Sequence, residues 1–447
     1  MLNDSKENCW LSRKTASWRT AEGDSFAPLD KLAGAVLLLE LSSLRFVLGA
    51  LVGCTSAQMT GCSFLFLLVY CWVNRRQAGA LCREPLIGGW FLFLLIWPLL
   101  HLLVGNIYDL RQAVLYGHIF LLMVSSALWI QRSSPQRFLR WGTAVLVAEA
   151  AGVVWSLFFP EWFEGIFRWM QRENTFQGRA FGWAMQPNEQ ARDMLLLFLI
   201  WAAFIPRQQE RRRLAAYLML VFLVVATGSR SGYAAVILSF FVHICVTYFR
   251  VQEGRLWMQP GPVVAVGFFA GLLFSIFPLL IRIVSDTIPS YKGTYGLVER
   301  VDSLVRGNFT QVSRRGESTV EPRILKKIVF FQLSKDRPLF GYGLGAQERL
   351  QETEELLYST HDQYLLIAFE GGWLLVLFYL LLNASLYLHP QRAVLEGRHG
   401  VPFVLQIFLV ILWFGFFSNT LLDSRTYAGV TGFLIGLMNS LGRERPQ

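Results

Sequence analysis

Ser359-Thr360-His361-Asp362-Gln363-Tyr364-Leu365 closes the longest polar segment of the chain and runs into apolar residues that continue to Leu388. A bilayer's hydrocarbon core of about 30 Å asks for about 20 consecutive apolar residues from a helix, and 365–388 meets that demand. His361 therefore stands where water meets hydrocarbon. The rest of the chain is organised by which side of a membrane this junction faces and what shares that side.

The same apolar pattern recurs along the chain. Of 447 residues, 54% are hydrophobic and 16% charged, with mean hydropathy +0.41; soluble domains carry about 25% charged residues. The expected fold is all-α, a polytopic membrane protein with about twelve spans. They lie near 32–52, 55–73, 88–105, 113–130, 141–159, 191–205, 214–228, 231–249, 263–281, 365–388, 401–419 and 427–440.

Loop charges orient these spans. Basic residues fill both tails and every even loop, for example Arg75, Arg76 and Arg83 in the second and Arg211, Arg212 and Arg213 in the sixth. Both termini are then cytoplasmic. The division expected is a tail at 1–31, nine spans in 32–281, a long, partly helical periplasmic loop at 282–360, three spans in 361–440 and a tail at 441–447. The first 30 residues read as a tail without a cleavable signal peptide. A net charge of +10 reads as topological signalling, so the expected partner is a lipid bilayer and no nucleic acid. Six cysteines without a CxxC pair read as packing residues.

Parity of the loops puts the unusual polar residues on one face: Arg179, Asn188, Ser229-Arg230-Ser231, Arg323, His361 and Asp423. His101, His118 and His243 fall within spans, where a neutral imidazole bonded to a neighbouring helix is the ordinary role. His361 has two readings. It is an interfacial anchor or helix cap, or it is a proton acceptor, since an unperturbed pKa of about 6.5 leaves imidazole available as a base near neutrality. The turn around Arg230 is likewise open between a snorkelling arginine and an anion site built from a guanidinium and helix N–H groups. Ser318–Arg323 reads as a helix start with Pro322 near its first position. Arg323, Lys326 and Lys327 then share one face, for which solvation is the default role. The stretch from Asp336 to Gly345 ends that helix in a glycine-rich turn with no GK[ST], so it is not a P-loop. No His, Cys or carboxylate cluster has metal-ligand spacing, and neither a metal nor a cofactor is expected.

Taken together, these residues resemble the O-antigen ligase and polymerase superfamily. Arg179 with Gly182 and Pro187-Asn188-Glu189-Gln190-Ala191 resembles the family's G-x-x-x-N-P-N-x-x-A segment, with Gln186 in place of its first asparagine. Ser229-Arg230-Ser231-Gly232 resembles its S-R-S-G turn, and Arg323 with Pro338–Gly343 its R…P-L-x-G-x-G stretch. His361-Asp362-Gln363-Tyr364-Leu365 with Glu370-Gly371-Gly372 resembles H-N-x-Y-L…E-x-G, with Asp362 where asparagine is usual.

The resemblance covers roughly 175–425. It implies a metal-independent glycosyltransferase of the inner membrane with a periplasmic site. The donor would be undecaprenyl-diphosphate-linked O-antigen and the acceptor the lipid A–core oligosaccharide. His361 then takes the catalytic position, Arg230 and Arg323 hold the diphosphate, Arg179 and Asn188 join them in binding substrate, and Asp423 matches a late acid. The rivals are an O-antigen polymerase, a protein O-oligosaccharyltransferase and a lipid-linked glycan transporter. A transporter would draw on Glu40, Arg45 and Glu149 inside the spans. The single H-D-x-Y-L element and the arginine pattern favour ligase over polymerase, and the short tail after residue 440 disfavours the protein transferase.

Overall fold

The computed structural model describes residues 28–169, 179–205, 209–252, 255–258, 321–352, 359–389 and 403–443. The expected span at 263–281, the loop stretches 282–320 and 353–358, and the tails at 1–27 and 444–447 lie outside them.

The first apolar stretch forms two helices, α1 (Pro28–Leu41) and α2 (Arg45–Val52), meeting at 96°. Continuous hydropathy over 32–52 predicts one helix, but the corner at Ser42–Leu44 serves Glu40. That buried carboxylate takes the Arg45 guanidinium at 2.8 Å and also pairs with Arg425, and a carboxylate removed from water needs such partners. Helix α3 (Ser56–Val73) opens with a Thr55–Gln58 capping box, and the short α4 (Arg75–Cys82) follows.

Helix α5 (Pro85–Leu103) widens into a π turn at Leu92–Ile96, where Trp97 N–H reaches the carbonyl of Leu92. Pro98 has no N–H to continue an ordinary ladder at that point. The turn that follows carries β1 (Ile107–Tyr108) and leads to α6 (Leu110–Arg132) and α7 (Pro135–Phe158), capped by Asp109 and Ser134. Among the described residues, α3, α5, α6 and α7 are long and apolar enough to cross a bilayer, and α1 with α2 passes the same test as a broken span.

The chain continues through α8 (Glu164–Trp169), α9 (Pro187–Ala202), α10 (Glu210–Ala226) and α11 (Arg230–Tyr248). A hairpin of β2 (Phe249–Gln252) and β3 (Arg255–Met258) ends this part. Helix α12 (Glu321–Asp336), strand β4 (Gly343–Leu344) and helix α13 (Ala346–Glu352) precede helices α14 (Gln363–Gly371) and α15 (Trp373–Leu388). The expected single span 365–388 is thus divided at Gly372, whose φ of +85° turns the chain between the two helices. Helices α16 (Phe403–Gly415) and α17 (Arg425–Arg443) complete the set.

Helix α17 lies closest to α6. A Cβ at Gly432 would sit 2.1 Å from the Met123 carbonyl and one at Gly436 2.5 Å from that of Ala127, so only a bare backbone permits the approach. Helix α9 occupies the centre and touches α7, α10, α11, α16 and α17. Leu65, Trp72, Leu103 and Val147 point outward and are well exposed. A soluble protein avoids such apolar surface, and lipid accommodates it.

Candidate functional site

The starts of α6, α9, α11, α14 and α17 and the end of α16 come together at one end of the bundle. Each is brought there by a bond that can be named. Pro187 occupies the first turn of α9, where its missing N–H costs nothing. The segment before it docks on the α10–α11 turn: Ala180 N–H donates to the Ala226 carbonyl at 3.0 Å and Arg179 Nε to that of Thr227 at 2.9 Å. The same guanidinium reaches Asn188 Oδ1 at 3.5 Å, the outer limit of a hydrogen bond. Ser229 Oγ accepts from Gly232 N–H at 3.1 Å and so caps α11, in the role expected of a serine there. Arg230 is the first residue of α11 and half-buried. Trp413 of α16 donates its indole N–H to the Ser231 carbonyl at 2.9 Å and holds this turn against the bundle.

Helix α12 begins at Glu321 with Pro322 second, close to the expected start. Arg323 lies in its first turn, and the side chain of Arg323 is outside the described residues. The glycine-rich turn after α12 packs on α14 and the start of α15 through its backbone. Tyr342 N–H donates to the Phe369 carbonyl and Trp373 N–H to the Pro338 carbonyl, both at 2.8 Å. Its β4 pairs in parallel with β1, Ile107 opposite Gly343. Gly343 has φ +114°, and a Cβ there would meet the Ile107 carbonyl oxygen at 2.0 Å. Glycine is required at this position by both conformation and space.

That turn is connected to His361 through a chain of bonds. Glu370 Oε1 accepts from Gln347 N–H at 3.2 Å, and Gln347 Oε1 accepts from Thr360 N–H at 3.0 Å. Thr360 Oγ1 in turn accepts from Asp362 N–H at 2.9 Å. Between these two pinned neighbours, His361 adopts φ +51° and is half-buried, with Nε2 3.4 Å from Ser359 Oγ. A left-handed histidine is uncommon and needs its surroundings to hold it. Helix α14 is capped by Asp362, whose Oδ1 accepts from Tyr364 and Leu365 N–H at 3.0 and 3.1 Å. His361 is therefore not the cap. It stands one residue before it.

The connection between α16 and α17, 416–424, ties these pieces together. Lys327 of α12 donates to the Phe416 carbonyl at 2.6 Å and pairs with Asp362 Oδ2 at 2.8 Å. Arg192 of α9 donates from Nη1 to the Thr420 carbonyl and hydroxyl, each at 3.2 Å, while Glu189 accepts from Thr420 Oγ1 at 2.9 Å. Gln363 Oε1 accepts from Leu421 and Leu422 N–H at 2.9 and 3.2 Å. Asp193 accepts from Ser424 Oγ at 3.1 Å, and Asp423 from Gln112 of α6 at 2.9 Å. Desolvation, with Glu348 and Glu189 nearby, pushes the Asp423 carboxyl up to about 6, against the Gln112 hydrogen bond and the charge of Arg192.

Of the residues singled out in the sequence, Arg179, Asn188 and the Arg230 turn form one contiguous unit, and His361 joins Asp423 through Gln363 and 416–424. The backbone of Arg323 enters the same assembly on α12, where Lys327 lies one turn further along. Sequence reading passed over Arg192, Asp193, Gln363 and Arg425. The first two sit in an apolar run, where an ionisable side chain is itself a signal. Glu40, Arg45 and Glu149, the candidates for a transport role, have partners inside the bundle: Arg45 and Arg425 pair with Glu40, and Gln190 donates to Glu149. His118 likewise meets Ser63 of the neighbouring α3 at 3.3 Å.

Residues 214–380 match the family model described as O-antigen ligase. The match takes in Arg230, Arg323 and His361, while Arg179, Asn188 and Asp423 lie beyond its ends. No curated protein matches the chain. The apolar helices mark the chain as a membrane protein, and the match over 214–380 supports its membership in the O-antigen ligase superfamily.

Proposed function

We propose that this protein is an O-antigen ligase. It transfers a glycan from undecaprenyl diphosphate to a hydroxyl of the lipid A–core oligosaccharide, at the periplasmic face of a twelve-span inner-membrane protein with both termini in the cytoplasm. The observation that carries this reading is the family match across Arg230, Arg323 and His361. A pinned His361 backbone beside the bonded helix ends supports it.

The chemistry follows from the side chains. A sugar hydroxyl is a weak nucleophile, and the imidazole of His361, in its neutral form, accepts its proton as the oxygen attacks the anomeric carbon. The bond to the lipid diphosphate breaks on the opposite side, and the leaving group gains negative charge. Arg230 and Arg323 stabilise that charge through paired hydrogen bonds, which strengthen where water is excluded. With two guanidiniums in this role the step runs without a metal. Arg179, Asn188 and Asp423 hold the saccharides. Direct displacement inverts the anomeric configuration, which NMR of the new linkage reads.

The test is reconstitution of the full chain with a lipid-diphosphate-linked glycan and a choice of acceptors. Transfer to lipid A–core is the expected result. Transfer to a second lipid-linked glycan would make the protein a polymerase, and transfer to a pilin-like peptide a protein glycosyltransferase. His361→Ala should abolish transfer while the protein stays in the membrane at its usual level; full activity would remove His361 as the base.

A further inference from the structure

We infer that Lys327 is a positioning residue that holds the helix bearing Arg323 against the backbone of His361. The inference rests on the roles proposed above for those two residues and adds a third that neither the family match nor the motifs assign.

Three contacts carry it. The Lys327 ammonium lies 2.8 Å from Asp362 Oδ2 and donates to the Phe416 carbonyl at 2.6 Å. It also lies 5.5 Å from the centre of the Phe417 ring. One cation thus joins α12, the residue after His361 and the start of 416–424. The Asp362 end is nearly closed to solvent, with 5% of its side chain exposed against 31% for Lys327. Losing the cation would leave a nearly buried carboxylate uncompensated, which is costly.

The two oxygens of Asp362 have separate duties. Oδ1 caps α14 through Tyr364 and Leu365 N–H, and Oδ2 receives Lys327. Asparagine, usual in the resembling families, can do the first but offers no negative charge for the second. The departure at 362 therefore has a partner at 327 in this chain. Lys327 lies four residues after Arg323, on the same face of α12. Fixing Lys327 to Asp362 fixes where the Arg323 face stands relative to His361, whose left-handed backbone has little freedom of its own. Displacing a positioning contact by about 1 Å can cost on the order of a hundredfold in rate.

Transfer kinetics of the full chain in proteoliposomes, with a lipid-diphosphate-linked glycan donor and the acceptor that supports transfer, test this. Lys327→Met should lower kcat by about tenfold to a hundredfold and leave the donor KM within about twofold, because each group keeps its own chemistry and only their placement loosens. Lys327→Arg should restore most of kcat, since it keeps the charge and the donors. Lys327→Met/Asp362→Asn should be no worse than the poorer single variant, the sign of two residues acting as one unit. Wild-type kcat in Lys327→Met, no recovery in Lys327→Arg, or additive losses in the double variant would each overturn the role. His361→Ala run alongside separates the two readings. Transfer that survives it overturns the catalytic reading, whereas transfer lost in His361→Ala but intact in Lys327→Met overturns only the positioning role.

Discussion

Arg192 and Thr420 are joined twice across 228 residues of sequence: one guanidinium nitrogen donates to both the carbonyl and the hydroxyl of Thr420, each at 3.2 Å. Arg192 Nε also donates to Asp193 Oδ1 at 2.9 Å, and both side chains are at least nine-tenths buried. This is the anchor that binds 416–424 to the central helix α9.

Arg192→Met removes that anchor and, among the described residues, leaves Asp193 the Ser424 hydroxyl as its side-chain hydrogen-bond partner. Breaking a buried pair from one side costs about 3–5 kcal/mol. The thermal unfolding midpoint of the detergent-solubilised protein should fall clearly below that of the parent. An unchanged midpoint would show that 416–424 is held by its other contacts.

Gly343 and Gly105 offer a contrast in what a methyl group meets. Both have positive φ, +114° and +70°, but a Cβ at 343 lands on the Ile107 carbonyl and one at 105 meets nothing within 4 Å. Gly105→Ala should cost only the left-handed penalty of about 1–2 kcal/mol. Gly343→Ala should break the β1–β4 pair and lose most folded protein from the membrane, measured by detergent-extractable monodisperse yield.

Lysine is not a substitute for arginine where two parallel hydrogen bonds are needed. Arg230→Lys and Arg323→Lys should each lower transfer on the order of tenfold to a hundredfold at unchanged membrane levels. Two fully active variants would remove the diphosphate assignment.

Asp423 titrates near 6 when folded, above its ordinary value of 3.8. The folded state then holds the extra proton between those values, so this group's contribution to stability falls as pH rises from about 4 to about 6. Asp423→Asn can still accept the Gln112 hydrogen bond without the desolvated charge. The variant should unfold at a higher temperature than the parent at pH 7, with the difference shrinking toward pH 4. Its transfer rate should fall if the acid holds substrate. Unfolding scans at several pH values check the first outcome, and the transfer assay the second.

Much of the fold was legible because span formation is a local property. An apolar run of sufficient length, a Pro or Ser at its start and a glycine at its end are read within about 20 residues. The runs near 55–73, 113–130, 141–159 and 231–249 correspond to α3, α6, α7 and α11 within a few residues at most ends, with α6 and α7 starting three and six residues earlier. The corner after Glu40 was not legible, since hydropathy does not register that Arg425, 385 residues away, shares that carboxylate. The break at Gly372 could be suspected from its glycines, but its purpose is tertiary. Trp373 N–H is needed by the Pro338 carbonyl, and a Cβ at 372 would meet the Leu339 carbonyl at 2.2 Å.

The amino-acid sequence by itself determined that the chain is a bundle of apolar helices, where most of them begin, and that its arginine, histidine and glycine motifs resemble one superfamily. Only the tertiary structure decided that 416–424 joins α9, α12 and α14, that Asp362 rather than His361 caps α14, and that Lys327 is the partner of Asp362. The physical reason is range. Hydrophobic burial and helix capping act between near neighbours along the chain, whereas a buried charge takes its partner from whatever the fold brings within about 3 Å.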